Sequence, residues 1–254
     1  MKHAATLLIK DIAYVYTMET DASGEDVVLK DAAIAVYHDR IIAMGSGDFS
    51  AYIDSSTRII NARGCIALPG FIDCRMQARP LLSPYLFEQH TDMDSYYEKH
   101  GSELLRDMHA WLFQLLQKGI TTFSYVSKAD MYEQALHRLH RHPYEYMPAV
   151  GKPGDDIMTC GYDPMKYPCI DPFYRARLLF REQGLCEREV LKRFTQRPAV
   201  FLGCSHIGSL RVGKQADILL AEGSSLSYVM RQLSPVVLRS IIKRGTQQFP
   251  HILI

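Results

Sequence analysis

The secondary structure that the sequence favours changes twice along this chain of 254 residues. Residues 1–65 consist of short runs rich in β-branched and aromatic residues, separated by turns such as 21–26 (DASGED), which predicts an antiparallel sheet. Residues 204–254 return to this β-rich character, with strands predicted at 218–221 and 236–243. The order along the chain is therefore β-rich, α/β and again β-rich.

Residues 66–203, between these two parts, alternate strands with helices. Apolar residues recur at helical spacing over 103–118 and Gly119 provides a stop, so we predict a helix there and a strand at 120–126. Further predicted elements are helices at 130–140, 171–183 and 187–194 and a short strand at 156–160. This alternation is typical of a parallel sheet with helical crossovers.

Charge and composition argue against several classes of function. The formal net charge of +1 gives no electrostatic reason to expect nucleic acid or a membrane surface as a partner. No apolar run approaches the roughly 20 residues of a membrane span, and the N-terminus lacks the sustained apolar core of a secretory signal. The six cysteines form no CxxC pair, which predicts reduced, mostly buried thiols and a cytoplasmic location.

Three separated parts of the chain carry recognisable motifs in a consistent order. They are 31–45 (DAAIAVYHDRIIAMG) with 60–64 (INARG) and 68–73 (LPGFID), then 116–123 (LQKGITTF), then 189–199 (EVLKRFTQRPA) with 207–217 (IGSLRVGKQAD). Together they resemble the metal-dependent deaminase and chlorohydrolase-like branch of the amidohydrolase superfamily. In that family the first part leaves a small β-sandwich and enters barrel strand one, the second enters strand two, and the third returns to the sandwich.

The resemblance implies a fold of class α/β plus β. Residues 1–65 with 204–254 would form a composite β-sandwich, and residues 66–203 a TIM-like β/α barrel. The barrel is expected to be truncated, because a complete one needs about 250 residues and this part of the chain has 138. The surviving strands one, two and eight would form a contiguous arc. Its two open edges and uncovered inner face predict an oligomer or a partner chain that covers them.

The resemblance also identifies the positions of the first metal motif. In active relatives a His-x-His pair follows the LPGFID-like step, and two imidazoles two residues apart on a strand can ligate one ion. Arg75 and Gln77 stand at these positions. A guanidinium is always cationic and offers no lone pair, and an amide oxygen is a weak donor. We therefore predict no metal cofactor, although the family normally uses zinc or iron.

Two further residues are assigned to a relic site by the resemblance. The segment 160–164 (CGYDP) resembles the approach to barrel strand eight, with Asp163 at the position of the catalytic aspartate. An ordinary turn is the alternative interpretation of Asp163, because aspartate readily occupies turns. His90 lies in the loop after strand one, which contributes to the substrate pocket in this branch, so contact with a small-molecule ligand is a hypothesis for this residue.

The remaining candidates are less specific. His137 and His140 are three residues apart on a predicted helix and could share an ion, but flanking arginines favour a solvated basic helix end. Cys74 lies beside the altered motif and could act as a nucleophile, yet no His/Asp pair to activate it is identifiable. We interpret His206 as structural.

The hypothesis from the sequence is a degenerate amidohydrolase homologue that lacks catalysis on its own and acts as a binding or assembly partner. The ancestral reaction would be metal-assisted hydrolysis of a C–N bond, in which a bound hydroxide attacks and the strand-eight aspartate moves protons. The alternative is an active hydrolase or deaminase completed by a partner chain that supplies the missing strands and histidines. A third hypothesis, a decayed gene product, predicts no cooperative thermal unfolding.

Overall fold

A computed structural model describes residues 3–77, 93–126, 130–139, 145–148, 157, 171–232 and 234–249. The strands in these ranges are β1 (Leu7–Thr20), β2 (Asp26–Tyr37), β3 (Arg40–Gly45), β4 (Arg58–Asn61), β5 (Cys65–Pro69), β6 (Phe71–Gln77), β7 (Ile120–Val126), β8 (Glu145–Pro148), β9 (Ile218–Glu222), β10 (Leu238–Lys243) and β11 (Thr246–Phe249). They form a larger sheet in the order β11-β10-β9-β5-β1-β2-β3, with β4 paired to β1, and a smaller sheet in the order β6-β7-β8.

Strand β1 is central to the larger sheet. It pairs antiparallel with β2 along one edge, while its other edge pairs in parallel with β4 near its start and with β5 farther on. The register with β2 shifts between Ile9 and Ile12, and Asp11 has φ 59° at this place. Such a bulge bends a strand. The bend separates the part of β1 that pairs with β4 from the part that pairs with β5.

The larger sheet surrounds an apolar core to which both ends of the chain contribute. Ile9 of β1 and Ile34 of β2 are fully buried in it, together with Ile218 and Leu220 of β9. Strand β9 pairs antiparallel with β5 and with β10. The last described strands therefore complete a sheet that the first part of the chain begins.

The change from the larger to the smaller sheet occurs at Gly70. Strand β5 pairs with β1 and β9, whereas β6 pairs with β7. A Cβ at Gly70 would lie 2.2 Å from Thr121 Oγ1, so this close approach requires glycine. The sequence predicts a boundary after residue 65. In the structure the buried side chains of Cys65 and Ala67 belong to the core of the larger sheet, and those of Ile66 and Leu68 to the core that includes Phe71 of β6. The division into two domains stays a prediction.

Seven α-helices occur in the described ranges. They are α1 (Met93–Lys99), α2 (Gly101–Gln117), α3 (Asp130–Arg138), α4 (Pro172–Gln183), α5 (Glu187–Lys192), α6 (Gln196–Phe201) and α7 (Leu226–Arg231). Helix α2 buries Leu104, Met108 and Leu115 on one face, at the spacing that the sequence indicates. It connects the parallel strands β6 and β7, so the predicted α/β middle part is confirmed at this level. None of the described helices has the length and apolar character needed to cross a membrane.

Candidate functional site

The candidate site lies on β6 and β7, at the positions where the sequence resemblance puts the first metal motif. Arg75 and Gln77 occupy the last residues of β6. Strand β6 runs parallel to β7, and β7 to β8, so all three carboxyl ends point the same way. Ligand sites of parallel α/β folds form at the carboxyl ends of the strands.

The two faces of β6 differ in their surroundings. Ile72 packs against Ala199 and Ile207, and the Cys74 thiol donates to the Pro198 carbonyl oxygen at 3.7 Å. Ile72 and Cys74 thus face α6 and the segment that follows it. Because successive side chains of a strand point to opposite sides, Asp73 belongs to the other face, and it is 1% exposed.

The two faces of β7 also differ in their surroundings, and in the register of the two strands Thr122 lies opposite Ile72 and Phe123 opposite Asp73. The Phe123 ring packs edge-to-face on Trp111 of α2 at 5.6 Å, and the Tyr125 hydroxyl donates to Glu133 Oε1 of α3 at 2.8 Å. Thr122 and Ser124 alternate with these residues and are fully buried. Their face, which we call the inner face of the smaller sheet, is therefore polar on β7.

A buried ion pair connects this inner face to the larger sheet. The Lys243 ammonium of β10 is 2.6 Å from Asp217 Oδ2 and donates to Thr122 Oγ1 at 3.3 Å. Lys243 is 0% and Asp217 is 4% exposed. Asp217 also accepts from the Arg244 backbone N–H at 2.9 Å and from Gln215 Nε2 at 3.0 Å. These hydrogen bonds satisfy the carboxylate away from water, which a buried charge requires.

The donor set on β6 does not fit a divalent cation. Asp73 supplies a carboxylate, but position 75 holds a permanent cation and position 77 an amide. Zinc prefers imidazole, thiolate and carboxylate ligands, usually four of them in a tetrahedron. Over the ranges that the structure describes, no group of three or more His, Cys, Asp or Glu side chains could hold a metal ion.

The structure describes only some of the other residues predicted from the sequence. Asp163 and His90, the catalytic and ligand-binding candidates, lie outside the described residues, as does His140. His137 lies on α3, where its Nε2 is 3.7 Å from Glu133 Oε1 one turn away. Both of these side chains are solvent-accessible, so the pair fits the interpretation of a solvated helix end.

Cys74 is placed as a buried structural thiol. Desolvation by burial, with smaller contributions from Asp73 and Cys204, raises the pKa of its thiol to about 12. A thiol with this pKa holds its proton at neutral pH, and only the thiolate is a good nucleophile. The hypothesis of a nucleophilic Cys74 therefore lacks the chemistry that it needs.

We expect thiol reagents to distinguish Cys74 from Cys186 in the folded protein. At pH 8 the exposed Cys186 should react rapidly with iodoacetamide, whereas Cys74 should stay unmodified, because it is buried and protonated. Peptide mass spectrometry would identify each modified cysteine, and protein unfolded in guanidinium chloride is the control in which both react. Equal rates for the two thiols in the folded state would contradict this assignment.

The buried pair of Lys243 and Asp217 was not identified from the sequence as part of the site. The predicted strand at 236–243 ends in Lys243. Because lysine is rarely buried without a partner, a lysine in an apolar strand could have indicated a buried ion pair. Its partner lies 26 residues earlier in the chain, and Thr122 is 121 residues away. Strand periodicity carries no information about contacts over such separations.

Comparisons with known proteins are informative only at the level of structure. No family model matches the sequence, and no curated protein matches it. A solved structure of atrazine chlorohydrolase TrzN from Arthrobacter aurescens TC1, complexed with zinc, matches with a TM-score of 0.66 and 15% identity over 95% of this chain and 94% of that chain.

Two further solved structures match over similar lengths. A prolidase complexed with N-methylphosphonate-L-proline has a TM-score of 0.60 and 12% identity, over 95% of this chain and 98% of its own. An adenosine deaminase from Xanthomonas campestris with bound zinc has a TM-score of 0.60 and 14% identity, over 97% and 93%. All three proteins belong to the superfamily that the sequence motifs indicate. The resemblance is thereby confirmed at the level of fold: this chain has the fold of the amidohydrolase superfamily.

Proposed function

We propose that this chain is an amidohydrolase homologue that does not carry out metal-dependent hydrolysis on its own. In this proposal the larger sheet is the composite β-sandwich of the family and β6, β7 and β8 are part of a truncated barrel. The larger sheet draws strands from both ends of the chain, and the smaller sheet is parallel with a helical crossover, which supports both assignments. The likeness to hydrolases and a deaminase supports the ancestry but carries no activity by itself.

The observation that carries the proposal is the chemistry of the last residues of β6. A catalytic zinc or iron ion needs several lone pairs that converge on it, and it acts by activating a bound water. Arg75 offers a fixed positive charge at one of the two positions where the family has imidazoles, and Gln77 offers an amide at the other. A cation at this position repels a divalent ion. Asp163, if it is the relic aspartate, would have no metal-bound water to deprotonate.

The remaining role would be binding or assembly. In the described ranges β6 and β8 each pair with no strand other than β7; the Ile72 N–H of β6 donates to the Phe194 carbonyl oxygen at 2.8 Å, and the rest of these two edges has no strand beside it. Open edges present unpaired backbone N–H and C=O groups that another chain can use. We propose that an oligomer or a partner chain covers them. Light scattering on the purified protein would contradict an oligomer if it gave the mass of one chain, 29.0 kDa, at all concentrations.

We expect the protein, purified without chelators and dialysed, to contain well under about 0.1 zinc or iron ion per chain, since a structural or catalytic site needs at least three protein ligands. Plasma mass spectrometry would measure both metals. The double variant Arg75→His/Gln77→His is the matched comparison. It restores two imidazoles on one strand face and should retain more zinc than the wild type.

The opposite result would support the alternative function. Stoichiometric zinc or iron in the wild type, together with turnover of aminated purines, triazines or pyrimidines, would show an active hydrolase or deaminase. Metal and turnover that appear only when a second protein is added would indicate completion by a partner chain. Either outcome would end the proposal that the chain lacks catalysis on its own.

A further inference from the structure

A cleft of about 550 Å³ opens on the larger sheet, and among the residues that the structure describes none in its lining belongs to the smaller sheet. The cleft crosses β1 at the bulge between Ile9 and Ile12. Strand β2 lies along one edge of β1, whereas β4, β5 and the turn between them lie along the other. The lining includes Leu8, Lys10, Asp31, Phe49, Ile53 and Arg63. We call this site the bulge cleft.

Part of the lining of the bulge cleft is apolar. Leu8 is 2% exposed and belongs to a small buried cluster against which Phe49 packs. Phe49 and Ile53 flank a short 3-10 helix (Ser50–Tyr52), and Ile53 is 43% exposed. An apolar group of a ligand that covered Ile53 would remove its side chain from water, which favours the bound state.

The two edges of β1 bring charges of opposite sign to the bulge cleft. Asp31 lies on β2 and has φ 47°. Arg63 lies in the turn between β4 and β5, where its N–H donates to Asn61 Oδ1 at 2.9 Å, and the Ala62 N–H donates to the Lys10 carbonyl oxygen of β1 at 2.8 Å. Because neighbouring strands are separated by about 4.8 Å, the backbones on the two sides of β1 lie roughly 10 Å apart. A carboxylate and a guanidinium thus start from opposite sides of the cleft.

The charged side chains of the bulge cleft do not neutralise one another. Lys10, Asp31 and Arg63 form no ion pair within the ranges that the structure describes. The two other carboxylates of the lining, those of Asp11 and Asp48, accept hydrogen bonds from a neutral amide and a neutral hydroxyl. Charges of both signs are therefore available to a ligand.

We propose that the bulge cleft binds a small zwitterion, which carries an ammonium and a carboxylate on an apolar body as amino acids and dipeptides do. In this proposal Arg63 donates to the carboxylate, because the planar fork of a guanidinium matches that group with two parallel hydrogen bonds. Asp31 accepts from the ammonium, and the apolar body lies on Phe49 and Ile53. The described lining holds two cations and three carboxylates, so an ion of a single sign would leave one side without a partner.

The test is isothermal titration calorimetry of the full chain with L-leucine and with L-leucyl-L-leucine. We expect saturable binding of at least one of them. The N-acetylated form of the tighter ligand lacks the ammonium, and its C-terminal amide lacks the carboxylate. Each should bind about fivefold more weakly, the effect of losing a charge pair at a partly exposed site. Tighter binding of L-leucine would identify an amino acid as the ligand, and tighter binding of L-leucyl-L-leucine a peptide.

Variants assign the two charges of the ligand to the two sides of the cleft. Arg63→Gln should weaken binding of the zwitterion about fivefold without further weakening the amide form, and Arg63→Lys should recover part of the loss because it keeps the charge. Asp31→Asn should weaken the zwitterion similarly and leave the N-acetylated form unaffected. Asparagine tolerates the left-handed backbone at this position. Arg138→Gln and Glu98→Gln remove exposed charges from α3 and α1, so as matched controls they should bind like the wild type.

Three results would overturn the proposal of a zwitterion site. They are the absence of saturable binding of either probe, an N-acetylated or amide form that binds as tightly as the zwitterion, and a loss in the control variants equal to that in Arg63→Gln and Asp31→Asn. Thermal unfolding of each variant checks that it is folded. The site is formed by the larger sheet, so its failure would leave the proposal about the end of β6 untouched.

Discussion

Replacing Asp217 with asparagine should lower the free energy of unfolding by about 3–5 kcal/mol, the usual effect of removing one partner of a buried ion pair. The substitution leaves the Lys243 ammonium, which is 0% exposed, without the carboxylate at 2.6 Å. The two carboxylate oxygens of Asp217 now accept from three donors, which are the Lys243 ammonium, the Gln215 amide and the Arg244 N–H. Asparagine keeps only one of these two acceptor oxygens. Urea unfolding at equilibrium, followed by circular dichroism, would measure the change.

Two controls separate the buried charge from other effects of Asp217→Asn. Glu222→Gln removes a carboxylate from the same strand region, where Glu222 and Arg239 form an ion pair with side chains that are 44% and 43% exposed. Such exposed pairs contribute about 0–1 kcal/mol. The double variant Asp217→Leu/Lys243→Met removes both charges and should recover much of the loss. Equal effects of Asp217→Asn and Glu222→Gln would show that the buried pair is not important for stability.

Gly245→Ala should destabilise the protein by about 2–5 kcal/mol, as the sum of a left-handed backbone and overpacking. Gly245 lies in the hairpin turn between β10 and β11 and has φ 72°, and a Cβ there would lie 1.8 Å from the His38 carbonyl oxygen. That atom belongs to the backbone of the hairpin turn between β2 and β3 and cannot rotate away as a side chain would. The two turns must separate to accept the methyl group. The same urea unfolding experiment measures the cost.

Gly213→Ala is the matched control for this substitution. Gly213 has φ 89°, but nothing lies within 4 Å of its added Cβ. It should therefore show only the cost of the backbone conformation, about 1–2 kcal/mol. A loss in Gly245→Ala that is no larger than in Gly213→Ala would mean that the two turns are not held together as the structure shows.

Elements with strong periodicity were predictable from the sequence. The predicted helix at 103–118 is observed as Gly101–Gln117, and the strand at 120–126 is confirmed. The predicted helix at 171–183 is observed as Pro172–Gln183, and its start is explained by Asp171, whose carboxylate accepts from the Phe173 N–H at 2.9 Å. In each case the signal lies within about 15 consecutive residues, so local patterns suffice.

Short elements and long-range pairings were not predictable in the same way. Helices α6 and α7 have six residues each, too few for a periodic signal, and β11 has four. Tertiary contacts stabilise such elements more than intrinsic propensity does. Strand β5 pairs in the larger sheet with β1 and also with β9, which lies about 150 residues later. Nothing in the sequence of β5 itself indicates its partner.

In the candidate site too, the residues with a local sequence signal were predictable and the long-range contacts were not. The changed residues at positions 75 and 77 were identified from a motif, because the LPGFID step fixes their place on the strand. The ion pair that supports the inner face was missed, because Asp217, Lys243 and Thr122 meet only when both sheets are assembled. A local motif thus sufficed to locate positions 75 and 77, whereas the buried polar groups depend on contacts between distant parts of the chain.

The pairing of β5 with β9 has a consequence for how this protein is made on the ribosome. When residues 1–69 emerge, the edge of β5 opposite β1 has no neighbour, and it stays so until β9 has been synthesised. Closing a loop of about 150 residues carries an entropic cost, and folds with such distant contacts form slowly. The nascent N-terminal part must therefore wait with an apolar, unpaired strand edge, so chaperones that bind such edges should associate with it during translation.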